Sequence, residues 1–430
     1  MKILIIHYRF YEDSGPESYL FKIKDLLEKY GHEVIPFSLN YNRNKATQFS
    51  EYFVNVVGDK NQFNYSLQPG LSIKEKIKII RNLFYNSDAH ESLNRLITNN
   101  RPDVVYTLQF WGKLSASVID SCYQNRIPVI LRLSDYGLIC SKNTLYRKGS
   151  ICEKCVKNPF SVVHHKCVDD SYTKSLLNFL ALSSFNILGY RKMIDSFVFP
   201  SKKMLNVFKD STRYNKVNCL HLPTFVPSSD LIKPKNILFS EQPTFGYIGR
   251  IAEDKGVHVI INALCILADE NIRPNFIIIG DTNNQYAKDL MKKCTINHLN
   301  NVQFLGYLTK DKLNDHLNDV SFLVIPSIWF DNMPNSLLEA QSASIPVIVS
   351  DIGSLPELVT NKKNGFLFDS GNKNSLANVI KYALSIGRDD YVLMSRDSLS
   401  WVADYCDEVR HYEKLVNIFE HSIRNYEKLD

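Results

Sequence analysis

The chain has 430 residues, 44% hydrophobic and 22% charged, the balance of a folded globular protein with room for two ordinary domains. Its net charge of +6 is uneven: residues 1–235 hold 33 Lys and Arg against 20 Asp and Glu, giving +13, and residues 236–430 hold 18 against 25, giving −7. No basic run carries a nucleic-acid motif, which argues against a nucleic-acid partner; the most apolar segment, Leu176 to Tyr190, is too short and too polar for a membrane span.

In chain order, Met1 to Tyr8 reads as a buried strand rather than a basic, apolar leader, so no signal peptide is expected. A loop with Ser14, Gly15 and Pro16 follows, then a helical recurrence of Tyr19, Ile23, Leu26 and Tyr30 stopped by Gly31, then a second strand from His32 to Phe37. This βαβ opening predicts a doubly wound sheet with ligands at the strand C-termini. His7, Arg9 and Glu17 stand near the first strand end, and each reads equally well as a core or surface residue.

The stretch Ile73 to Phe84 sets Lys74, Lys76, Lys78 and Arg81 beside Ile73, Ile77, Ile80 and Phe84. It fits either a helix lying on an anionic membrane or a surface helix whose apolar stripe faces the core. Lys202 and Lys203 could extend the same basic face. An anionic membrane surface is the partner that the basic half favours over nucleic acid.

Further strands are expected at Val104–Thr107, Val129–Leu133 and Phe197–Phe199. Between them, residues 136–170 form a loop-rich insertion with Cys140, Cys152, Cys155 and Cys167 in a C-x11-C-x2-C-x11-C array. Four such thiolates could hold a structural zinc, with His164 and His165 as substitutes; reduced thiols and disulfides are the alternatives. The remaining cysteines read as small core residues, and nine cysteines without a leader point to a reducing, cytoplasmic setting, with the inner face of the cell membrane within reach.

Residues 222–236, with three prolines, read as a linker. The α/β pattern then restarts: strand Thr244–Ile248, helix Val257–Ala268, strands Phe276–Ile279, Val302–Phe304 and Phe322–Ile325, a helix after Pro334, and strand Val347–Val349. Two successive units predict an α/β chain of two Rossmann-like doubly wound domains facing a cleft, residues 1–221 and 237–400. Residues 401–430 carry helical periodicity and are expected to pack back on the first domain.

The second domain carries the chemistry. Arg250 and Lys255 follow a strand end and could hold a diphosphate, Arg250 as a fork of donors and Lys255 as a point charge. Asn335, Ser336 and Leu337 open a helix whose amides would face an anion. Glu339 could accept from a ribose diol, and Asp331 from sugar hydroxyls. Each feature alone also reads as ordinary surface chemistry; their order and spacing together suggest a nucleotide sugar.

Residues 244–368 resemble the C-terminal domain of retaining glycosyltransferases of family four, which have the GT-B fold. The resemblance rests on Phe245-Gly246-Tyr247-Ile248-Gly249-Arg250, Lys255-Gly256, Phe304-Leu305-Gly306, Val324-Ile325-Pro326-Ser327, Asp331 to Ala340, Pro346 to Ser350, Gly353, Glu357 and Asn364 to Phe368. Lys2 to Ile6, the Gly15 loop and Phe199-Pro200-Ser201 extend it toward the N-terminus.

The resemblance implies donor binding by Gly15, Gly249, Arg250 and Lys255, ribose binding by Glu339, and Asp331 in the first acidic position of the family's paired-acid motif, usually Glu. Ser134 stands where many members have His, and Ser134 and Asp135 are the acceptor-side candidates. It also implies transfer with retention and without a catalytic metal, from a nucleotide-sugar donor to a glycan or lipid-linked acceptor in surface-polysaccharide assembly. A nucleotide-sugar epimerase or a binding subunit without turnover would share the fold. A nicotinamide oxidoreductase would need a Gly-x-Gly-x-x-Gly turn that Tyr8 to Ser18 lacks.

Overall fold

The computed structural model describes residues 1–61, 70–231, 239–317 and 319–427. The chain divides into two compact units, one of Met1–Thr144, Glu153–Leu222 and the chain from Val409, the other of Leu145–Cys152 and Pro223–Glu408.

The first unit is built on β1 (Lys2–His7), α1 (Gly15–Lys29), β2 (Glu33–Phe37), α2 (Ile73–Phe84), α3 (Ser87–Asn100), β3 (Val104–Gln109), α4 (Ser117–Gln124), β4 (Val129–Arg132), α5 (Tyr172–Ile187), β5 (Ser196–Phe199), α6 (Lys202–Lys209) and β6 (Cys219–His221). Its sheet runs β6-β5-β4-β3-β1-β2, with every neighbouring pair parallel. Ile3, Leu4, Ile5 and Ile6 are all buried, which is why β1 is an unbroken apolar run rather than an alternating one: helices cover both faces. The sheet order reverses between β1 and β3, the point where such folds open a crevice at the strand C-termini.

The second unit repeats the plan with β7 (Phe245–Ile248), α7 (Val257–Asp269), β8 (Phe276–Ile279), α8 (Gln285–Ile296), β9 (Val302–Gly306), α9 (Lys310–Leu317), β10 (Phe322–Ile325), α10 (Asn335–Ser342), β11 (Val347–Ser350), β12 (Gly365–Phe368), α11 (Lys373–Leu384) and α12 (Arg388–Tyr405). The order is β9-β8-β7-β10-β11-β12, again all parallel. Here the reversal lies between β7 and β10. One core cluster gathers Phe245, Phe276, Phe322 and α7; another gathers Leu323, Leu337 and Val349 with Val402.

Three sequence expectations change. The insertion 136–170 holds a two-stranded hairpin, Tyr146–Arg147 with Ser150–Ile151, and two one-turn helices, Lys154–Lys157 and Ser161–His164. Residues 223–231 of the expected linker pack onto the second unit: the Val226 amide donates to the Cys406 carbonyl at 2.9 Å and Ser228 to Glu408. Residues 232–236 lie outside the described residues.

The tail is not one helix. α12 ends at Tyr405, and a separate α13 (Glu408–Glu427) follows. From Val409 onward α13 belongs to the first unit. There His411 Nε2 meets Tyr19 Oη at 3.0 Å, Tyr412 stacks on Tyr30 with centroids 3.8 Å apart, and Phe419 meets Tyr106 edge-on. Residues 428–430 lie outside the described residues. Among the described residues no helix is long and apolar enough to cross a membrane.

Candidate donor site at the switch point of the second unit

The loops leaving β7 and β10 converge because glycine lets them. Gly256 has φ +73°, and a Cβ there would sit 1.9 Å from the Pro326 carbonyl oxygen; a Cβ on Gly280 would sit 2.1 Å from that of Gly249. Only a residue without a side chain permits this approach of backbones. Beyond the contact, the Ile328 amide donates to the Asp254 carbonyl at 3.0 Å, so the loop after β10 lies directly against the Glu253–Lys255 turn.

This contact places Lys255 over the second loop. Its Nζ donates to Asp331 Oδ2 at 2.6 Å and lies 5.0 Å from the centroid of the Trp329 ring. Ser327 Oγ donates to the same carboxylate oxygen at 2.9 Å. Asp331 is 5% exposed, so its charge is held by a cation and a hydroxyl rather than by water, as a buried carboxylate requires. The expected role of Asp331, reaching out to a sugar, is therefore modified: at least one of its oxygens anchors Lys255.

Backbone strain is locked in beside it. Met333 has φ +46°, an uncommon left-handed conformation for a side chain of this size. Ser354 fixes it: its Oγ donates to the Asp331 carbonyl at 2.7 Å and accepts from the Met333 amide at 3.0 Å. Gly353, at φ +64°, lets this bridge approach, since a Cβ there would meet Phe330 Cα at 2.9 Å.

Four residues after Asp331, α10 begins with Pro334 as its N-cap and no side-chain cap. The amides of Asn335 and Ser336 have no acceptor within the helix. That of Leu337 donates to the Pro334 carbonyl at 3.1 Å, so the expected trio of anion-facing amides is reduced to two. Leu337, Leu338 and Gln341 point into the core while Asn335, Ser336 and Glu339 are half-buried on another face; Asn335 and Glu339 share it by their i, i+4 spacing.

Arg250 is more distant than its sequence position suggested. Its side chain is 66% exposed and paired with Asp254 at 2.9 Å. Its carbonyl accepts from Tyr247 Oη at 2.6 Å, and burial, with the Asp331 carboxylate next, pushes that phenol well above its ordinary range. Lys255, Asp331, Gly249 and the start of α10 thus form one loop cluster, with Arg250 joined to it through Asp254. Sequence reasoning missed Trp329, Ser354, Tyr247 and Asp254, whose roles depend on which loops meet.

Among the candidates of the first unit, His7, Arg9 and Glu17 meet at the end of β1. Gly15 opens α1, and Ser14 Oγ donates to Glu17 Oε2 at 2.5 Å. Arg9 Nη1 donates to Glu17 Oε1 at 2.9 Å, with both side chains largely buried. His7 Nδ1 accepts from the Arg9 amide at 3.0 Å, and burial pushes the imidazole down to about 4. Ser134 follows β4. Asp135 Oδ1 accepts from the Gly137 amide at 2.7 Å, which makes it the brace of its own turn, and burial pushes its carboxyl up to about 6.

In the cysteine array, Cys140 and Cys155 are buried and Cys152 and Cys167 half-buried. Cys152 belongs to the second unit, and Cys140, Cys155 and Cys167 to the first. Among the described residues no three His, Cys, Asp or Glu side chains are grouped so as to hold a metal ion.

Residues 228–395 match the family model described as "Glycosyl transferases group 1". An uncharacterised 42.6 kDa protein of the cps region of Klebsiella pneumoniae is 25% identical over 83% of this chain and 87% of its own length. An Escherichia coli UDP-Gal:alpha-D-GlcNAc-diphosphoundecaprenol alpha-1,3-galactosyltransferase is 27% identical over 41% of this chain and 44% of its own length, so the chain spans under half of that relative. Among solved structures, Anabaena Alr3699/HepE in complex with UDP and glucose superposes with a TM-score of 0.62 at 15% identity, covering 98% of this chain and 99% of that one. The chain has two parallel-sheet α/β domains like those of the GT-B fold, and its residues 228–395 match the Glycosyl transferases group 1 model.

Proposed function

We propose that the chain is a retaining glycosyltransferase that moves a sugar from a nucleoside-diphosphate donor to a hydroxyl of a glycan acceptor, lipid-linked and bound for a surface polysaccharide. The observation that carries this reading is the Lys255–Asp331 pair at 2.6 Å beside the uncapped start of α10. A cation and two helix-terminal amides at a switch point form a seat for a leaving diphosphate, where negative charge grows in the transition state. The named Escherichia coli relative, which uses UDP-Gal and a diphosphoundecaprenol acceptor, supports the donor and acceptor classes. The cps-region relative supports the polysaccharide setting.

In this reading the bond from the anomeric carbon to the donor phosphate oxygen breaks first. Lys255, Arg250 and the amides of Asn335 and Ser336 stabilise the departing diphosphate. Glu339, on the same face of α10 as Asn335, takes the ribose diol. The acceptor oxygen bonds to the anomeric carbon on the face the phosphate left, and its proton passes to a leaving phosphate oxygen. The products are a nucleoside diphosphate and a glycoside of unchanged configuration. No enzyme nucleophile is required. Asp331 holds Lys255 in place until the diphosphate competes for it.

The test incubates the protein with UDP-, GDP- and ADP-sugars, with and without a diphosphoundecaprenol-linked sugar. Nucleoside diphosphate released only with acceptor, and a product anomer matching the donor's by NMR, support transfer with retention. Sugar inversion without acceptor would mark an epimerase instead, and binding without turnover a donor-binding subunit.

A further inference from the structure

In α2 the isoleucines of the apolar stripe face outward, and Phe84 at its end is half-buried. Ile73, Ile77, Ile80 and Phe84 recur at i, i+4, i+7 and i+11, which is one helix face. A core-facing stripe would be buried, yet Ile73 is 76% and Ile77 61% exposed, and no residue of α2 is buried. The helix stands on local signals: a capping box closes its start, with the Ser72 hydroxyl accepting from the Glu75 amide and the Glu75 carboxylate accepting from the Ser72 amide.

α5 packs beside α2 and continues the patch. Leu176, Leu180 and Ile187 share one face of α5, and Ile187 is 82% exposed. Exposed isoleucines and leucines on two adjacent helices are more than scattered surface apolar residues. Lys74, Lys76 and Arg81 are exposed on either side of the α2 stripe. Lys78 is drawn off by Asp88 at 2.6 Å. The nearest acidic groups at the start of α5 are Asp169, which pairs with Lys174 at 2.8 Å, and Asp170. Lys202 and Lys203 begin α6, where Lys203 faces Glu153 at 3.9 Å; they are not needed for this patch.

We propose that α2 and α5 form the docking face of this chain for an anionic phospholipid bilayer. The isoleucines would enter the boundary between headgroups and acyl chains, and Lys74, Lys76 and Arg81 would meet lipid phosphates. Charge chooses this occupant over a second copy of the chain. An isologous contact through α2 would bring the same three cations against each other, whereas an anionic surface neutralises them. The docking face stands whether or not the chain transfers sugar.

The test is co-sedimentation of the full chain with vesicles of phosphatidylcholine alone or mixed with phosphatidylglycerol. The wild type binds the mixed vesicles, more weakly as salt rises, and leaves the neutral ones in the supernatant. An Ile77→Asp/Ile187→Asp variant and a Lys74→Glu/Lys76→Glu variant each lose about tenfold or more in partition. Their melting temperatures and circular dichroism stay those of the wild type, because the altered side chains are exposed. Failure of the wild type to bind the mixed vesicles, or variants that bind them as well as it does, would overturn the proposal. So would a wild-type dimer in sedimentation equilibrium that Ile77→Asp converts to monomer.

Discussion

At the scale of single residues, Lys255 carries two burdens. It neutralises the buried Asp331 carboxylate, and in the proposed reaction it meets the departing phosphate. Lys255→Ala is expected to lower kcat/KM by about 2–4 kcal/mol of transition-state binding, read from initial rates of nucleotide release. The same change leaves a buried carboxylate without its cation, so the melting temperature falls as well. Arg250→Ala separates the two effects. Arg250 is mostly exposed and its ion pair with Asp254 is a surface one, so this variant should weaken turnover while leaving thermal stability unchanged.

Gly256→Ala is the complementary case: its Cβ would collide with the Pro326 carbonyl at a left-handed φ. Destabilisation of about 2 kcal/mol or more is expected from denaturant titration.

His7 gives a pH prediction. Its imidazole titrates at about 4 in the folded chain against an ordinary 6.5, so the unfolded state binds the extra proton between those values. Stability from His7 is complete above pH 6.5 and is lost as pH falls toward 4, by up to about 3 kcal/mol. Asp135, raised to about 6, acts with the opposite sign between its ordinary 3.8 and 6, and gains stability as pH falls. The His7 share is isolated by comparing wild type with His7→Gln: unfolding free energies of the two should converge as pH drops from 7 to 4.

At the scale of elements, the loop from Trp329 to Pro334 is held by one hydroxyl. Ser354→Ala removes the bridge between the Asp331 carbonyl and the Met333 amide. A loss of about 1–3 kcal/mol in stability is expected for the unsatisfied buried groups, with a raised KM for donor as α10 loses its fixed approach.

The apolar runs Ile3–Ile6, Phe245–Ile248 and Phe322–Ile325 announced their strands because a parallel strand covered on both faces has no polar alternation to confuse it. Lys255, Asp331 and the start of α10 were legible for a related reason: each sits at a strand or helix end marked by Gly or Pro. Trp329 was not, since nothing in its neighbours says that a lysine 74 residues earlier will lie across its ring. The break at Cys406–Asp407 was hidden because Val402, Tyr405, Val409 and Tyr412 keep their helical spacing across it. The outward face of α2 was equally hidden, because an apolar stripe looks the same in sequence whether core or lipid covers it.

At the scale of the molecule, each of the two doubly wound units has its own reversal of strand order. The second holds the proposed donor seat at the reversal between β7 and β10. The first holds Arg9, Glu17 and His7 at the reversal between β1 and β3, and carries the basic charge. The proposed chemistry draws its electrostatics from side chains and helix ends, so dialysis against EDTA should leave turnover unchanged; activity restored only by a divalent ion would show that the protein's own cations are insufficient.

The most direct measurement of the central claim is nucleoside-diphosphate affinity by calorimetry, taken across UDP, GDP and ADP for wild type, Arg250→Ala and Lys255→Ala. One diphosphate should bind the wild type, its monophosphate at least tenfold more weakly, and both variants should lose most of the difference between the two. Equal affinities for mono- and diphosphate in the wild type, or variants that keep the full preference, would contradict a diphosphate seat at Lys255 and α10.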